Sequence, residues 1–449
     1  MTIYQSGSGS LTPEQLSDYS GRIAAYFQRR GVRYAAVISG KSPLVYAAVR
    51  ACGLSHVCFV PVDEALPALR RAQVTADADE IFYDSEELPG ESGWTDLREL
   101  IAISGAVQAL PEDLAAPAYR IYTSGTTGVP KGIEVSRGNL RSFLEWFVSI
   151  PAIADVKPHS VLNQAMFSFD LSVADLWYSL RENAALTVIE RELCGDFSGM
   201  FRRMGESGAE LAVFTPAFAE LCMCDSAFRR ELMPGLKVMF FCGEVLKPVT
   251  AAKLFRRFPG VRILNAYGPT ECCCAVTAVE VTTEMAERDV LPVGDLRHTA
   301  GEIHVDGGEI VITGGSVAGY TGGSSGGFGE FCGERCFRTG DAGEIRDGML
   351  WFGGRLDRQL KIMGYRIEPE DIENNMLKIP GVKQALVSVS PRGGRITAQA
   401  VAGGISAGEI RSRLAELVPA YMLPGRITLV ESLPVSGSFK LRRIYGHAE

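Results

Sequence analysis

From Tyr34 to Phe258, short runs of β-branched and aromatic residues alternate with segments of helical spacing. That rhythm restricts the chain to α/β architectures with mostly parallel strands, since parallel neighbours need a crossover that a helix supplies. Tyr34–Ser39 and Val57–Val62 read as strands around a helix at Val45–Cys52, and Leu66–Gln73 reads as the next helix. Further on, the apolar run Val161–Phe169 precedes a helix at Ser172–Leu180, and strands Leu211–Phe214 and Val238–Cys242 alternate with helices Phe218–Met223 and Val249–Phe258. An opening helix over residues 11–31 carries the start signal Thr12-Pro13-Glu14-Gln15, and Gly138–Trp146 has helical spacing too. The polar stretch Asp84–Asp113 gives no firm signal.

The texture changes at Leu291. Short strands such as Glu302–Val305 and Glu309–Thr313 predict a small β-rich subdomain, and the glycine-rich Gly314–Gly329 reads as a mobile loop. Beyond Gly353-Gly354 a separate pattern begins: helix Glu368–Leu377, strands Val382–Val389 and Thr397–Val401, and helix Ile405–Leu417. The expected division is therefore a large N-terminal region, residues 1–357, and a small αβ domain, residues 358–449, hinged at Asp357 and Arg358.

Composition excludes several function classes. No run of about 18 apolar residues exists, and the longest candidate, Val45–Val62, is broken by Arg50, His56 and Pro61. The N-terminus lacks a basic segment followed by an apolar one, so a cytoplasmic protein without membrane insertion is expected. A net charge of −8 opposes non-specific nucleic-acid binding. The 11 cysteines are odd in number and scattered in apolar contexts, which predicts reduced, mostly buried thiols. Neither Cys272–Cys274 nor Cys332 with Cys336 has a second ligand pair at metal-site spacing.

Three loops concentrate the chemistry. In Tyr122-Thr123-Ser124-Gly125-Thr126-Thr127-Gly128-Val129-Pro130-Lys131-Gly132, the glycines let backbone N–H groups approach an anion, the hydroxyls add donors and Lys131 adds charge. This is a phosphate cradle without the Gly-Lys-Ser/Thr ending of the P-loop. In Asn265-Ala266-Tyr267-Gly268-Pro269-Thr270-Glu271, following a strand Val261–Leu264, Tyr267 suits stacking on a base, Thr270 suits a phosphate and Glu271 suits Mg²⁺. In Phe337–Asp341, Asp341 suits two ribose hydroxyls.

Taken in order with Gly354-Arg355-Leu356-Asp357-Arg358-Gln359 and the late Lys440, these motifs resemble the adenylate-forming superfamily of acyl-CoA synthetases, luciferases and peptide-synthetase adenylation domains. The resemblance spans nearly the whole chain. It implies ATP and Mg²⁺ as cofactors, an active site in the cleft between a large domain and a small mobile lid, and catalytic roles for Lys440, Thr126 and Glu271. Arg355 and Lys440 would join the three loops at the nucleotide.

Within the superfamily, Phe167–Leu176, Thr215-Pro216-Ala217-Phe218 and Phe241–Leu246 look most like the D-alanine:D-alanyl carrier protein ligases. That implies a small amino acid substrate, D-alanine first, and a phosphopantetheinylated carrier protein as acceptor. Asp170 would pair with the substrate ammonium, a contact useless to a fatty acid, while Val213, Cys242 and Cys274 would line the side-chain pocket. Asp170 also reads as a helix N-cap, and Cys242 as plain strand packing. Three departures stand out: Ala174 where a larger residue is expected, short connections near Ala300 and Gly314–Gly329, and Phe439 beside Lys440. The rivals are an enzyme for another small amino acid, an acyl-CoA synthetase, and a non-catalytic nucleotide binder; retention of Lys131, Glu271, Asp341, Arg355 and Lys440 opposes the last.

Overall fold

The computed structural model describes residues 2–86, 90–103, 105, 107–125, 127–321, 326–362, 364–389 and 395–433, apart from the side chains of Ser39 and Cys194. The chain divides into two compact units. The first comprises Met1–Glu64, Asp77–Ile121 and Ile133–Gly354; the second gathers Ala65–Ala76, Tyr122–Gly132 and the described residues from Arg355 onward.

Three sheets build the first unit. An eight-stranded sheet runs, edge to edge, through Thr277–Val281, Arg262–Tyr267, Val238–Phe241, Leu211–Phe214, Ser160–Asn163, Ala185–Val188, Tyr4–Ser6 and Gly9–Leu11. Its central pairings are parallel and only the outermost ones antiparallel. A seven-stranded sheet is centred on Cys58–Asp63 and Tyr34–Ser39, again paired in parallel. The third is antiparallel and β-rich, formed by Gly294–Asp295, Met349–Arg355, Glu334–Arg346, Glu309–Thr313 and Glu302–Asp306, with Phe328–Phe331 on its long strand.

The predicted opening helix is Pro13–Arg30, started by a capping box on Thr12 and stopped by Gly31 in the left-handed region at φ 68°. Its face of Leu16, Ile23, Ala24 and Phe27 enters one core cluster with the helix Pro43–Ser55. A second core, rich in Phe and Met, lies around Phe214, Phe228, Met239 and Phe241.

In the second unit, strands Val382–Val389, Ile396–Ala402 and Arg426–Leu429 form a small sheet with helices Pro369–Leu377 and Ala407–Leu414. Its core includes Ile372, Met376, Val387, Ala398 and Ile410. Arg70, on the helix Ala68–Thr75, is buried there and pairs with Asp371.

Several boundaries differ from expectation. Asp84–Asp113 contains a short strand, Trp94–Asp96, and a helix, Leu97–Ala102. The stretch read as a mobile loop holds the strands Gly319–Tyr320 and, from its end, Phe328–Phe331, although residues 322–325 lie outside the described set. Tyr320 and Phe328 meet edge to face at 5.0 Å.

Candidate active site

The strand Ser160–Asn163 leads through Gln164–Phe169 into a tight 3-10 turn, Asp170–Ser172, then a π-helical turn, Val173–Trp177, and finally an α-helix, Tyr178–Glu182. The spacing predicts one helix from Ser172 to Leu180. Val173, Ala174, Asp175 and Leu176 are all buried, a demand that the 100° steps of an ordinary helix on a sheet meet poorly. Such wide turns recur at functional sites. Phe169 holds the N-cap position, so Asp170 does not cap the helix. Its half-buried carboxylate instead accepts the Thr270 hydroxyl at 2.5 Å, joining two motifs that lie far apart in sequence.

Behind Asp170 stands an apolar wall. Ala174, Val213, Cys242 and Cys274 belong to one buried cluster, and the Cys242 thiol donates to the Cys274 carbonyl at 3.6 Å. Cys273 and Cys274 both have left-handed backbones, φ 61° and 90°, a conformation costing about 1–3 kcal/mol for a side-chain-bearing residue. Contact with Cys242, then burial, pushes the Cys274 thiol well above its usual range. Burial first does the same for Cys273. Thiols held protonated in this way are poor nucleophiles. Among the described cysteines only Cys224 and Cys332 are exposed.

The second motif lies deeper than expected, because its strand runs from Arg262 to Tyr267 and includes Asn265, Ala266 and Tyr267. Asn265 is buried and donates to Pro292 O at 2.8 Å. Tyr267 donates to the buried Asp341 carboxylate at 2.6 Å, and Thr339 braces the same strand by accepting the Asp341 N–H at 3.0 Å. A Cβ on Gly268 would lie 2.5 Å from Ala275 Cα, so only glycine lets the chain turn there before Pro269 and Thr270. Glu271 is wholly buried and accepts the Tyr320 hydroxyl at 2.5 Å. Sequence reading missed Tyr320 because it sits among glycines.

The glycine- and hydroxyl-rich loop Tyr122–Gly132 belongs to the second unit. Thr123 ends its strand, Thr127 is exposed and Lys131 half-buried. Ser124 Oγ donates to Arg366 O and accepts the Glu368 N–H, both at 3.0 Å. Glu368 is the N-cap of Pro369–Leu377 and caps nothing itself, so the Ser124 hydroxyl satisfies a helix start that its own sequence leaves open. A Cβ on Gly125 would meet Val129 O at 2.2 Å, and Gly128 closes the turn onto Gly125 O at 3.0 Å. Burial raises the Asp371 carboxyl, and Arg70 opposes that shift. Arg355 pairs with Asp357, with Nε at 2.9 Å from Oδ1. Thr126 and Lys440 lie outside the described residues.

Residues 1–319 match the family model described as "AMP-binding enzyme". The chain belongs to the AMP-binding enzymes. It is 36% identical over 441 residues to the D-alanine--D-alanyl carrier protein ligase of Listeria monocytogenes, covering 90% of this chain and 86% of that protein. Its identity to the ligase of the same name from Bacillus cereus is 37% over 353 residues, 72% of this chain and 69% of the relative. Among solved AMP-binding folds, the Vibrio cholerae adenylation domain AlmE, in complex with glycyl-adenosine-5'-phosphate, superposes with a TM-score of 0.83 at 20% identity, covering 98% of this chain and 93% of that one. A peptide synthetase protein containing adenylation and PCP domains gives 0.83 at 23% identity, covering 98% and 80%. At such identities these two structures speak for the fold alone. No helix among the described residues is long and apolar enough to cross a membrane.

Proposed function

We propose that this AMP-binding enzyme activates a small amino acid as its adenylate and passes the acyl group to the phosphopantetheine thiol of a carrier protein. The carrying observation is the half-buried Asp170 carboxylate, fixed by Thr270 at the edge of the Ala174–Val213–Cys242–Cys274 wall. A carboxylate in that position favours a ligand with an ammonium group and a short apolar side chain, and it disfavours a fatty acid. The likeness to ligases named for D-alanine makes D-alanine the first candidate, with L-alanine, serine and cysteine behind it because Ala174 leaves one wall small.

The first step joins a carboxylate oxygen to the α-phosphorus of ATP and releases pyrophosphate. Its obstacle is charge repulsion, and catalysis consists in offsetting negative charge as it builds. Lys440 would supply an ammonium, Thr123–Lys131 hydroxyl, backbone and ammonium donors, and Arg355 further charge. Tyr267 would face the base, and Asp341 would accept the ribose hydroxyls. Mg²⁺ would screen the phosphates when bound. Glu271, a buried carboxylate oriented by the Tyr320 hydroxyl, is the residue that would hold it, with substrate oxygens and water completing its shell. In the second step the carrier thiol attacks the acyl carbon and AMP leaves. The domain boundary near Asp357 is where the lid would turn between steps, and the cytoplasm, where ATP is available, is the proposed compartment.

Pyrophosphate exchange across D- and L-amino acids, followed by loading of a holo carrier protein, tests this reading. Amino-acid-dependent exchange supports it; exchange only with acids lacking an amine overturns it.

A further inference from the structure

Beneath Asp170 lies a polar node that the proposed chemistry does not use. Asn163 and Asp175 are fully buried and Lys41 nearly so, 2% exposed. Asn163 Nδ2 lies 2.9 Å from each Asp175 carboxylate oxygen and donates to Ala165 O at 3.0 Å. Lys41 Nζ donates to Gln164 O at 2.9 Å and to Ile189 O at 2.8 Å, and its charge acts on the Asp175 carboxylate.

These three side chains bind both ends of one segment. Asn163 is the last residue of its strand, Asp175 sits in the π-helical turn, and Asp170 lies between them in the turn that faces Thr270. A buried polar group is expensive unless its partners are met, so chemistry indifferent to this segment would be served as well by an apolar anchor. A hydrogen-bonded node adds direction, which sets where the Asp170 carboxylate stops.

We infer that Asn163 and Asp175, with Lys41 behind them, form a positioning clamp that fixes Asp170 for recognition of the substrate ammonium. The inference rests on the reading of Asp170 given above. Asp175 touches no substrate in this account; it acts through the segment it closes. A displacement of about 1 Å at a recognising group costs up to about a hundredfold.

The test uses the full-length enzyme, pyrophosphate exchange, D-alanine or whichever amino acid the panel selects, and its deamino analogue, propionate for alanine. Asp175→Ala is expected to raise the amino-acid KM about tenfold or more, to leave the ATP KM within about twofold, and to lower the preference for the amino acid over the deamino acid by the same factor. Asp175→Asn keeps an oxygen acceptor for Asn163 and is expected to restore the amino-acid KM to within about threefold of wild type. Asn163→Ala removes the donor from the other side and carries the same expectation should Asp175→Ala fail to fold. The inference is overturned if both KM values rise together, or if only the melting temperature falls. Asp170→Asn run in parallel separates the two claims. An unchanged amino-acid KM there defeats the ammonium reading itself, whereas a raised KM with an indifferent Asp175 defeats only the clamp.

Discussion

The wall proposed for the amino acid and the loop proposed for phosphate are built on opposite principles. Around Asp170 the sequence spends side chains: a carboxylate, a threonine hydroxyl, the thiols of Cys242, Cys273 and Cys274 and a wide helical turn. In Tyr122–Gly132 it spends backbone: Gly125 and Gly128 shape the turn, and the best-placed hydroxyl, that of Ser124, is engaged with the start of Pro369–Leu377. A group that must be told apart from its neighbours by size and charge needs fixed side chains. Phosphate, the same in every turnover, needs only donors that can be released to it. Damage to the first region should therefore change which substrate is used, and damage to the second how well any substrate reacts.

The sharpest attempt to break this contrast is Asp170→Asn. Removing one partner of a desolvated charge pair costs on the order of 3–5 kcal/mol, and half-burial places this site near 3. The expected outcome is an amino-acid KM raised about a hundredfold with the ATP KM unmoved, measured by pyrophosphate exchange. A parallel rise for ATP would show the two regions to be one.

Lys440→Ala attacks the general side. Loss of one charge that acts only in the transition state commonly costs about a hundredfold or more, so exchange should collapse for every amino acid alike while transfer from supplied adenylate continues. Normal exchange would remove Lys440 from the mechanism and leave Phe439 as the more telling departure.

Cys242→Ala is subtler. Its thiol bonds the Cys274 carbonyl inside the wall, so truncation should loosen one side of the α-carbon. Apolar pocket changes of this size discriminate by about 1–3 kcal/mol, and the D/L ratio of kcat/KM should narrow correspondingly. An unchanged ratio would make Cys242 ordinary strand packing.

What the sequence revealed follows the same division. The strands Tyr34–Ser39 and Leu211–Phe214 are where the apolar runs predict them, because buried parallel strands read as unbroken hydrophobic stretches, and the antiparallel edge strand Val382–Val389 is found where its β-branched residues predict it. The motifs carrying Asp170, Glu271 and Asp341 were visible because charge beside glycine and threonine is rare in such runs. Asp175 and Tyr320 were not, since nothing local marks a carboxylate that will be fully buried or a tyrosine that will reach Glu271 49 residues earlier. The π-helical turn was equally hidden, for its residues have ordinary helical composition and only their joint burial widens it.

The smallest expected effect bears on the foundation of the side-chain region. Burial, opposed by the Asn163 bond and the Lys41 charge, pushes the Asp175 carboxyl from an ordinary 3.8 up to about 8. A carboxyl raised in the folded state binds its proton more tightly there than in the unfolded chain. Its stabilising contribution is thus full below about pH 4 and is lost as the pH climbs toward about 8. Asp175→Asn removes that dependence. The melting temperature of the variant relative to wild type should therefore climb across this window by about 2 °C and level off above it. Thermal unfolding at intervals from pH 5 to about 9 checks the sign. A relative melting temperature that stays flat across this range would mean that the Lys41 ammonium outweighs burial and keeps Asp175 charged, making the clamp an ion pair rather than a neutral hydrogen-bonded node.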